Sequence, residues 1–361
     1  MLFADLSYQK FDWWHDIVPG AYIPNALGPN GEAIEENFIH KGLFINETLN
    51  FGFTIGLNDY WNMTYSQFAS KRCMEWEGDV FTGQETVAID GFEFDNMIHT
   101  VGESKTVHHR TECSSSDFID DDRNKTIAFG GKLGDARVNF RYLFSNQGKG
   151  PGNRVFLGFG IAIPSNYTLT ESPWAKTSML NHDNDIGTPN IEVYSPHRHF
   201  YLSDGTYKIN AEVQFFKKRS KIPVFWGGVF SVETPINTSK YGFTPSTRYE
   251  LSMMALSGPI KKMKVGDLKV SSIGINLTLG HATRSKWDDM GDTPNSKSIQ
   301  YIPGVSILLA SKAGTFGISL QRGYEKYLNE NPSDIKEETD IYSITISYRK
   351  LLDKVIDKLY W

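Results

Sequence analysis

The side chains that could do chemistry in this chain are charged residues set at alternate positions of apolar segments. In residues 206–234, Ile209 and Val213 alternate with Lys208 and Glu212. Successive side chains of a β-strand point to opposite faces, so such a segment has one apolar face and one charged face. Across the chain, this alternation selects eight charged residues on polar strand faces: Arg137, Arg141, Lys208, Glu212, Glu233, Arg248, Glu250 and Arg349.

Both signs of charge occur among these eight residues, which leaves two compatible interpretations. Opposite charges on neighbouring strands form ion pairs, and such pairs would close the interior of the sheet. Charged side chains that line a pore also form constrictions that select among solutes. We therefore treat the eight residues as candidates for a lumen constriction.

Histidines and serines in two long polar stretches give a weaker chemical signal. His197 and His199 would share one face of an extended segment and could chelate a metal, as could His108 and His109. No firmly placed carboxylates accompany them, and the serines at 114–116 lack the Gly-x-Ser-x-Gly turn of a hydrolase. We predict no metal site, no cofactor and no enzymatic activity.

The composition favours a strand-rich protein. Of the 361 residues, 13% are aromatic and 32 are glycine, which is typical of barrels with aromatic girdles.

The sequence gives no sign of a transmembrane helix, because such a helix needs a run of about 18 apolar residues and none occurs. The net charge of -5 gives no electrostatic basis for nucleic-acid binding. The N-terminus lacks the basic and apolar regions of a signal peptide, so we expect an exported protein to have lost that peptide already.

The chain contains two cysteines, Cys73 and Cys113. An even pair in an otherwise cysteine-free sequence suits one disulfide in an oxidising compartment. Two unrelated buried thiols are the alternative. A bridge would clamp the polar stretch 69–131 at its base.

Strand-like segments are joined alternately by short and long connections. The short ones are 58–59, 146–153, 217–222, 258–267 and 311–314. The long ones are 69–131, 165–203, 235–246, 281–297 and 323–338. Barrels of the outer-membrane type have short periplasmic turns and long extracellular loops. We therefore predict an all-β fold, a closed antiparallel transmembrane β-barrel in a Gram-negative outer membrane.

Eleven segments alternate clearly, and bacterial single-chain barrels have even strand numbers, so we predict about twelve strands. The N-terminal segment 1–46, which shows no clean period, is expected to supply the remaining strand, and it could also plug the lumen. Residues 47–350 form the predicted barrel. Residues 351–361 have apolar side chains at helical spacing and form a predicted short amphipathic tail.

In such a barrel the apolar strand faces contact lipid and the polar faces line the lumen. The lipid-facing residues of segment 206–234 are then Tyr207, Ile209, Val213, Trp226 and Phe230. Aromatic residues near strand ends are candidates for the interfacial girdles, namely Tyr60, Trp61, Tyr142, Trp226, Tyr249, Tyr301 and Tyr348.

Short glycine-containing motifs give the chain a family resemblance. They are Gly-Leu-Asn-Asp at 56–59, Gly-Asp-Ala-Arg at 134–137, Gly-Phe-Gly-Ile-Ala-Ile-Pro at 158–164, Ser-Asp-Gly-Thr at 203–206, Tyr-Gly-Phe-Thr-Pro at 241–245, and Tyr-Ile-Pro-Gly-Val at 301–305 with Ser-Tyr-Arg at 347–349. Over residues 47–350, the chain resembles the outer-membrane family named after the meta-pathway of phenol degradation, which is similar to the fatty-acid-type hydrophobic channels.

The resemblance implies a channel for passive uptake of small hydrophobic or aromatic compounds, with the lipid bilayer and such solutes as partners. It supplies no substrate-binding residues. Two alternatives stay open. One is a non-transporting barrel that presents a disulfide-clamped extracellular loop for adhesion or partner binding. The other is a secreted soluble β-protein that binds carbohydrate.

Overall fold

The computed structural model describes residues 1–27, 33–82, 85–87, 133–147, 150–168, 170, 172, 176–179, 191–194, 201–260, 264–265, 268–293, 296–328 and 337–352. Within these ranges, no helix is long and apolar enough to cross a membrane. Twelve long strands form the wall of the molecule: β1 (Leu2–Leu27), β2 (Ala33–Gly56), β3 (Trp61–Thr82), β4 (Leu133–Asn146), β5 (Gly152–Ile163), β6 (Lys208–Lys218), β7 (Phe225–Pro235), β8 (Arg248–Leu256), β9 (Leu268–Ala282), β10 (Ser298–Ala310), β11 (Thr315–Tyr327) and β12 (Glu337–Lys350).

Each of these strands pairs antiparallel with the next one along the chain, and the sheet closes on itself. β1 pairs with β12 in an unbroken register from Leu2↔Lys350 to His15↔Glu337. A closed barrel leaves no unpaired strand edge, which a sheet in lipid cannot tolerate. The predicted closed antiparallel barrel with twelve strands is therefore confirmed.

The two ends of the barrel differ in their connections. One end has short turns, such as the one between β2 and β3, where Asn58 Oδ1 accepts hydrogen bonds from the Tyr60 and Trp61 amides at 2.9 Å. Leu2 and Lys350 lie at this same end. Short turns mark the periplasmic side of an outer-membrane barrel.

The opposite end carries the longest connections, those after β3, β5, β7 and β9, which contain small accessory strands. Phe243–Thr244, Lys286–Trp287 and Gly291–Asp292 form a three-stranded sheet there. Lys176–Met179 pairs with Ile191–Tyr194. This end corresponds to the extracellular side, as the alternation of short and long connections predicted.

Apolar side chains cover the outside of the barrel. Val213 and Phe230 are each 45% exposed and Ile275 is 65% exposed, whereas Lys208 on the opposite face is 6% exposed. Exposed apolar strand faces around a polar interior are the pattern of a barrel in lipid, the reverse of a soluble barrel. The faces predicted for segment 206–234 are confirmed, and the soluble carbohydrate-binding alternative is wrong.

Aromatic side chains lie at both ends of this apolar belt. At the short-turn end, the Trp61 and Tyr142 ring centroids are 5.0 Å apart; at the long-loop end, those of Tyr301 and Tyr324 are 5.9 Å apart. On β11, Phe316 and Tyr324 are separated by eight residues. At a tilt near 40° that spacing spans roughly 20 Å of membrane. The predicted girdle residues lie at these two levels: Tyr60, Trp61, Tyr142, Trp226 and Tyr348 at the short-turn end, and Tyr249 and Tyr301 at the other.

The N-terminal segment 1–46 lies in the wall. β1 is hydrogen-bonded to both β12 and β2, so this segment supplies the twelfth strand and the first half of β2 rather than a lumen plug. Its first ten residues do alternate, because Leu2, Leu6 and Tyr8 are exposed on the outside while Asp5 faces inward. The expectation that residues 1–46 show no clean alternation was therefore wrong for the first ten residues.

β3 is longer than its sequence pattern indicated. It runs to Thr82, although the predicted strand ended before Ala69 and gave way to a loop. From Ala69↔Leu49 to Phe81↔Asn37 its backbone pairs with β2. Hydrogen bonding to a partner strand keeps this half extended without the apolar alternation that lipid contact requires. Of the predicted tail 351–361, residues 353–361 lie outside the described part of the chain.

The lipid-facing position of Val213, halfway along β6, can be tested with a charge. Val213→Lys is expected to destabilise the barrel by about 2–4 kcal/mol, because the ammonium would sit in hydrocarbon. Urea unfolding in lipid vesicles measures this. Gln214→Lys is the matched control and should behave as the parent, because Gln214 faces the lumen beside Glu212. Equal stability of Val213→Lys and the parent would contradict the face assignment.

Candidate functional site

The strand register places charged side chains on the inner wall. Arg141, Gly158, Glu212, Ser231 and Glu250 are successive register partners across β4 to β8, so all five point to the same side of the sheet. Exposed apolar residues occupy the opposite side. The lumen is therefore lined by the polar faces of the strands.

One group of charged side chains lies at the long-loop end of the lumen. Arg137 Nη2 donates to Glu233 Oε1 at 3.1 Å, and Lys208 Nζ lies 3.8 Å from the same oxygen. Lys208 also pairs with Asp204, and Arg248 is the register partner of Glu233 on the next strand. These five residues form the mouth cluster, in which positive and negative charges are interleaved.

A loop segment, 201–206, lies against this cluster; we call it the cap segment. The Ser203 amide donates to the Tyr167 carbonyl at 3.2 Å, and the Arg72 guanidinium donates to the Tyr201 carbonyl. The cap segment is thus fixed both to another loop and to the inner wall. It covers part of the extracellular entrance.

The charge of Asp204 anchors the cap segment. Burial alone would raise the pKa of the Asp204 carboxyl, but Lys208 and Arg248 together hold that pKa below its ordinary value. Burial raises the pKa of the Tyr201 phenol well above its usual value. At neutral pH, Asp204 is therefore ionised beside two cations, and Tyr201 is neutral.

A second ion pair lies deeper in the lumen, four residues further along β4 and β6 than Arg137 and Lys208. Arg141 pairs with Glu212, and the same residues approach at 3.5 Å between Nη2 and Oε2. Gln214 Nε2 donates to Glu212 at 2.9 Å, and Arg141 Nη1 donates to Thr64 Oγ1 at 3.3 Å. The Glu212 side chain is 9% exposed, so its charge depends on these partners.

Two glycines on β5 make these contacts possible. β5 lies between β4 and β6, and a Cβ at Gly158 would stand 2.5 Å from Glu212 Oε1. A Cβ at Gly160 would stand 2.5 Å from the Val138 carbonyl oxygen, below the Asn139–Asn210 hydrogen bond of 2.8 Å. Without side chains on the middle strand, groups from the two flanking strands can meet above it.

A third ion pair lies near the short-turn end. Arg349 donates to both carboxylate oxygens of Asp5, at 2.6 and 2.9 Å. The same guanidinium lies 5.2 Å from the centroid of the Phe3 ring. This bidentate contact joins β12 to β1 at the seam where the barrel closes.

An apolar surface lines the lower half of the inner wall on β4 to β8. We call it the aromatic patch, and it consists of Leu143, Phe156, Phe216, Phe225, Val229 and Met254. The Phe216 ring centroid is 5.4 Å from that of Phe225 and 6.4 Å from that of Phe156. Met254 is 44% exposed. This apolar surface is accessible from the lumen, and Gln214 and Arg154 lie in the same register rows.

The facing arc of the wall is polar and small. Asn276 Nδ2 donates to Ser319 Oγ at 3.3 Å, and Gln321 Nε2 donates to Asn276 Oδ1 at 3.0 Å, across Gly304. Hydroxyl-bearing residues continue this arc on β12, at Ser343, Thr345 and Ser347. The lumen therefore has one aromatic side and one hydroxyl and amide side.

The sequence-predicted site residues all lie on the inner wall. Six of the eight form ion pairs: Arg137, Arg141, Lys208, Glu212, Glu233 and Arg349. Arg248 belongs to the mouth cluster, and Glu250 accepts a hydrogen bond from Ser252 at 2.8 Å. The Cys73 side chain and Cys113 of the disulfide candidate lie outside the described part of the chain. So do the histidines weighed as weak metal-ligand candidates and not predicted to bind a metal, which are His108, His109, His197 and His199.

Sequence reasoning missed three members of the site. Asp5 alternates with exposed apolar neighbours, and that signal was available in the first ten residues. Asp204 occurs in a glycine-containing loop motif, and Arg72 lies in the half of β3 read as loop. Neither of these two carries a local signal, because loop folding and strand extension bring them to the lumen.

No family model and no curated protein matches the sequence. Among solved structures, an outer membrane channel from Pseudomonas putida F1 has a TM-score of 0.46 at 10% identity, covering 95% of this chain and 94% of that one. The transport unit of the autotransporter AIDA-I from Escherichia coli has 0.42 at 6% identity, with 96% and 90% covered. A FadL homologue from Pseudomonas aeruginosa has 0.39 at 9% identity, with 96% and 90% covered. Because these TM-scores are below 0.5, the assignment as an outer-membrane barrel rests on sheet closure and the apolar belt.

The Arg141–Glu212 pair can be tested by a double-mutant cycle. Arg141→Met is expected to destabilise the barrel by about 2–4 kcal/mol, because it leaves a poorly hydrated carboxylate without its cation. Adding Glu212→Gln should recover at least about 1 kcal/mol relative to the sum of the single changes. Urea unfolding in vesicles measures this, with Lys286→Met as the exposed control. Strictly additive effects would contradict the pairing.

The anchoring role of Asp204 predicts a pH dependence. Because its folded-state pKa is depressed, its contribution is complete above the unfolded pKa of about 3.9 and is lost as pH falls through the folded value. Protection of the cap-segment amides against hydrogen exchange should therefore be lost as pH falls through the folded value of the Asp204 pKa. Asp204→Asn should lower that protection by at least about tenfold already at neutral pH. Asp289→Asn, which removes an exposed carboxylate, should leave the exchange rates unchanged. Unchanged exchange in Asp204→Asn would contradict the anchor.

Proposed function

We propose that this barrel is a channel for passive uptake of small hydrophobic or aromatic compounds across the outer membrane. The observation that carries the proposal is the aromatic patch on the inner wall. Apolar surface left against lumen water costs about 25 cal/mol per Å². An apolar solute that covers the patch removes this cost, so the patch favours such solutes over sugars and ions.

The mouth cluster and the Arg141–Glu212 pair form the proposed constriction above the patch. Ion-selective pores use rings of one charge sign. Here cations and carboxylates are interleaved, so the mouth cluster and the Arg141–Glu212 pair together carry one net positive charge instead of a ring of one sign. Such a constriction attracts ions only weakly. A neutral solute enters among the long loops, passes the cap segment and the ion pairs, and reaches the aromatic patch before leaving at the periplasmic end. Movement down a concentration gradient requires no catalytic group.

We also propose that the chain belongs to the outer-membrane family named after the meta-pathway of phenol degradation. One resemblance motif, Ser-Asp-Gly-Thr at 203–206, lies in the cap segment and contains Asp204. A second, Gly-Phe-Gly-Ile-Ala-Ile-Pro at 158–164, contains Gly158 and Gly160, over which the inner-wall contacts form. Both motifs therefore supply parts of the proposed constriction.

A non-transporting barrel is the second candidate function, and the cap segment favours it. Leu202 and Ser203 are each 2% exposed and Thr206 is fully buried, so this part of the entrance is firmly filled. A barrel held closed in this way would present its extracellular loops to a partner instead of passing solutes.

Flux measurements distinguish the two functions. The barrel is reconstituted in liposomes, and entry of toluene, phenol, hexane and glucose is compared with that into protein-free liposomes. Selective entry of the apolar solutes supports the channel, whereas no flux of any solute supports the closed barrel. Glucose entry equal to toluene entry would contradict the role given to the aromatic patch.

The double variant Phe216→Gln/Met254→Gln tests the patch directly. The new glutamine amides bind water, which an apolar solute would have to displace. We therefore expect toluene flux to fall by at least about tenfold. Phe215→Leu is the matched control, since the neighbouring residue faces lipid beside Trp226, with ring centroids 5.2 Å apart. Heat-modifiable gel migration must be the same for parent, variant and control, which shows that all are folded. Parent-like flux in the double variant would contradict the proposal.

A further inference from the structure

The short-turn rim of the barrel carries an excess of positive charge. Its described side chains comprise one carboxylate, Asp59, and eight cations: Arg154, Lys217, Lys218, Arg219, Lys221, Lys269, Lys312 and Lys350. Six of the eight cations are exposed, and neither these six nor Lys217 pairs with a carboxylate among the described residues. Like charges this close repel one another, so the rim favours an anionic partner.

The opposite rim shows that this excess is specific to one end. Exposed carboxylates are mixed with the cations there: Asp288, Asp289, Asp292 and Asp340 accompany Lys240, Lys286 and Lys326 among the described side chains. Lys240 also lies over the Tyr241 ring, 4.7 Å from its centroid. The charge asymmetry runs along the barrel axis, from a mixed extracellular rim to a basic periplasmic one.

The cations lie at the depth of the lipid headgroups. Lys217 is the register partner of Trp226, a girdle residue, and Lys350 follows Tyr348 by two positions on β12. The Tyr348 hydroxyl donates to the Ala313 carbonyl at 2.8 Å, beside Lys312 in the β10–β11 turn. At about 3.3 Å per strand residue, the ammonium groups extend just beyond the aromatic girdle.

We propose that this basic rim binds the phosphate groups of anionic phospholipids in the periplasmic leaflet. Lysine and arginine are the side chains that bind phosphate, and each contributes about fivefold to the attraction of an anionic membrane surface. The cations are spread over the β6–β7 turn, the start of β9, the β10–β11 turn and the end of β12. Lys218 and Lys269 share the inner-wall side of the register, so the cations nearest the lipid are those of the turns, with Lys217 and Lys350. This arc covers about half of the circumference next to the lipid-facing belt, which suits several lipid headgroups better than one compact protein partner.

Native mass spectrometry of the barrel released from nanodiscs tests the proposal, whatever the lumen transports. The nanodiscs contain equal parts of phosphatidylglycerol and phosphatidylethanolamine. The parent barrel is expected to retain phosphatidylglycerol several-fold over phosphatidylethanolamine. The variant Lys217→Gln/Lys218→Gln/Arg219→Gln/Lys221→Gln should lose at least about fivefold of that preference. Raising the salt concentration during extraction should weaken it in the parent.

Two further variants keep the result interpretable. Lys269→Gln/Lys312→Gln/Lys350→Gln removes rim cations outside the β6–β7 turn and should also lower the preference for phosphatidylglycerol. This variant tests the proposal independently if the first variant fails to fold. Lys240→Gln/Lys286→Gln removes cations from the opposite rim and should leave the preference unchanged. Equal retention of the two lipids by the parent would overturn the proposal. So would parent-like preference in a folded rim variant, an outcome that would point to an acidic periplasmic protein as the partner.

Discussion

The whole structure depends on satisfying the backbone hydrogen bonds of every strand inside a membrane. A strand edge facing hydrocarbon would leave a row of N–H and C=O groups unbonded, so the sheet has to close. The pairing of β1 with β12, from Leu2↔Lys350 to His15↔Glu337, provides that closure. Once the ring is complete, the two faces of each strand become an inside and an outside, and the period-2 alternation of the sequence acquires a physical meaning.

Closure brings long charged side chains into a narrow interior, where they need partners. The small residues of β5 provide the space, because Gly158 and Gly160 let groups from β4 and β6 approach each other above the intervening strand. The result is a series of ion pairs at three levels, from the mouth cluster to the Arg349–Asp5 contact at the seam. Between the upper pairs and the periplasmic end, the aromatic patch gives the inner wall an apolar side. The proposed transport of hydrophobic solutes follows from this division of the lumen.

The outside of the barrel is ordered along the same axis. Aromatic girdles bound the apolar belt at both levels, and the periplasmic girdle is followed at once by the basic rim. The extracellular rim is instead mixed in charge and carries the cap segment, whose position depends on the ionised Asp204. The chain thus has a built-in direction: a covered entrance at one end, and at the other a rim that matches the charge of phospholipid headgroups.

The sequence by itself determined the strand-rich class, the alternating faces, the short and long connections and the even strand number, because these depend on local periodicity and turn residues. It also placed Val213 toward lipid and Glu212 toward the lumen. Only the tertiary structure decided which charges meet. Arg137 and Glu233 lie 96 positions apart, and Asp5 and Arg349 lie 344 apart, so closure and register, not sequence spacing, make them neighbours. Tertiary structure also decided that β1 lies in the wall and that β3 extends to Thr82. In that second half of β3, pairing with β2 keeps the backbone extended although the sequence lacks the apolar alternation of a lipid-facing strand.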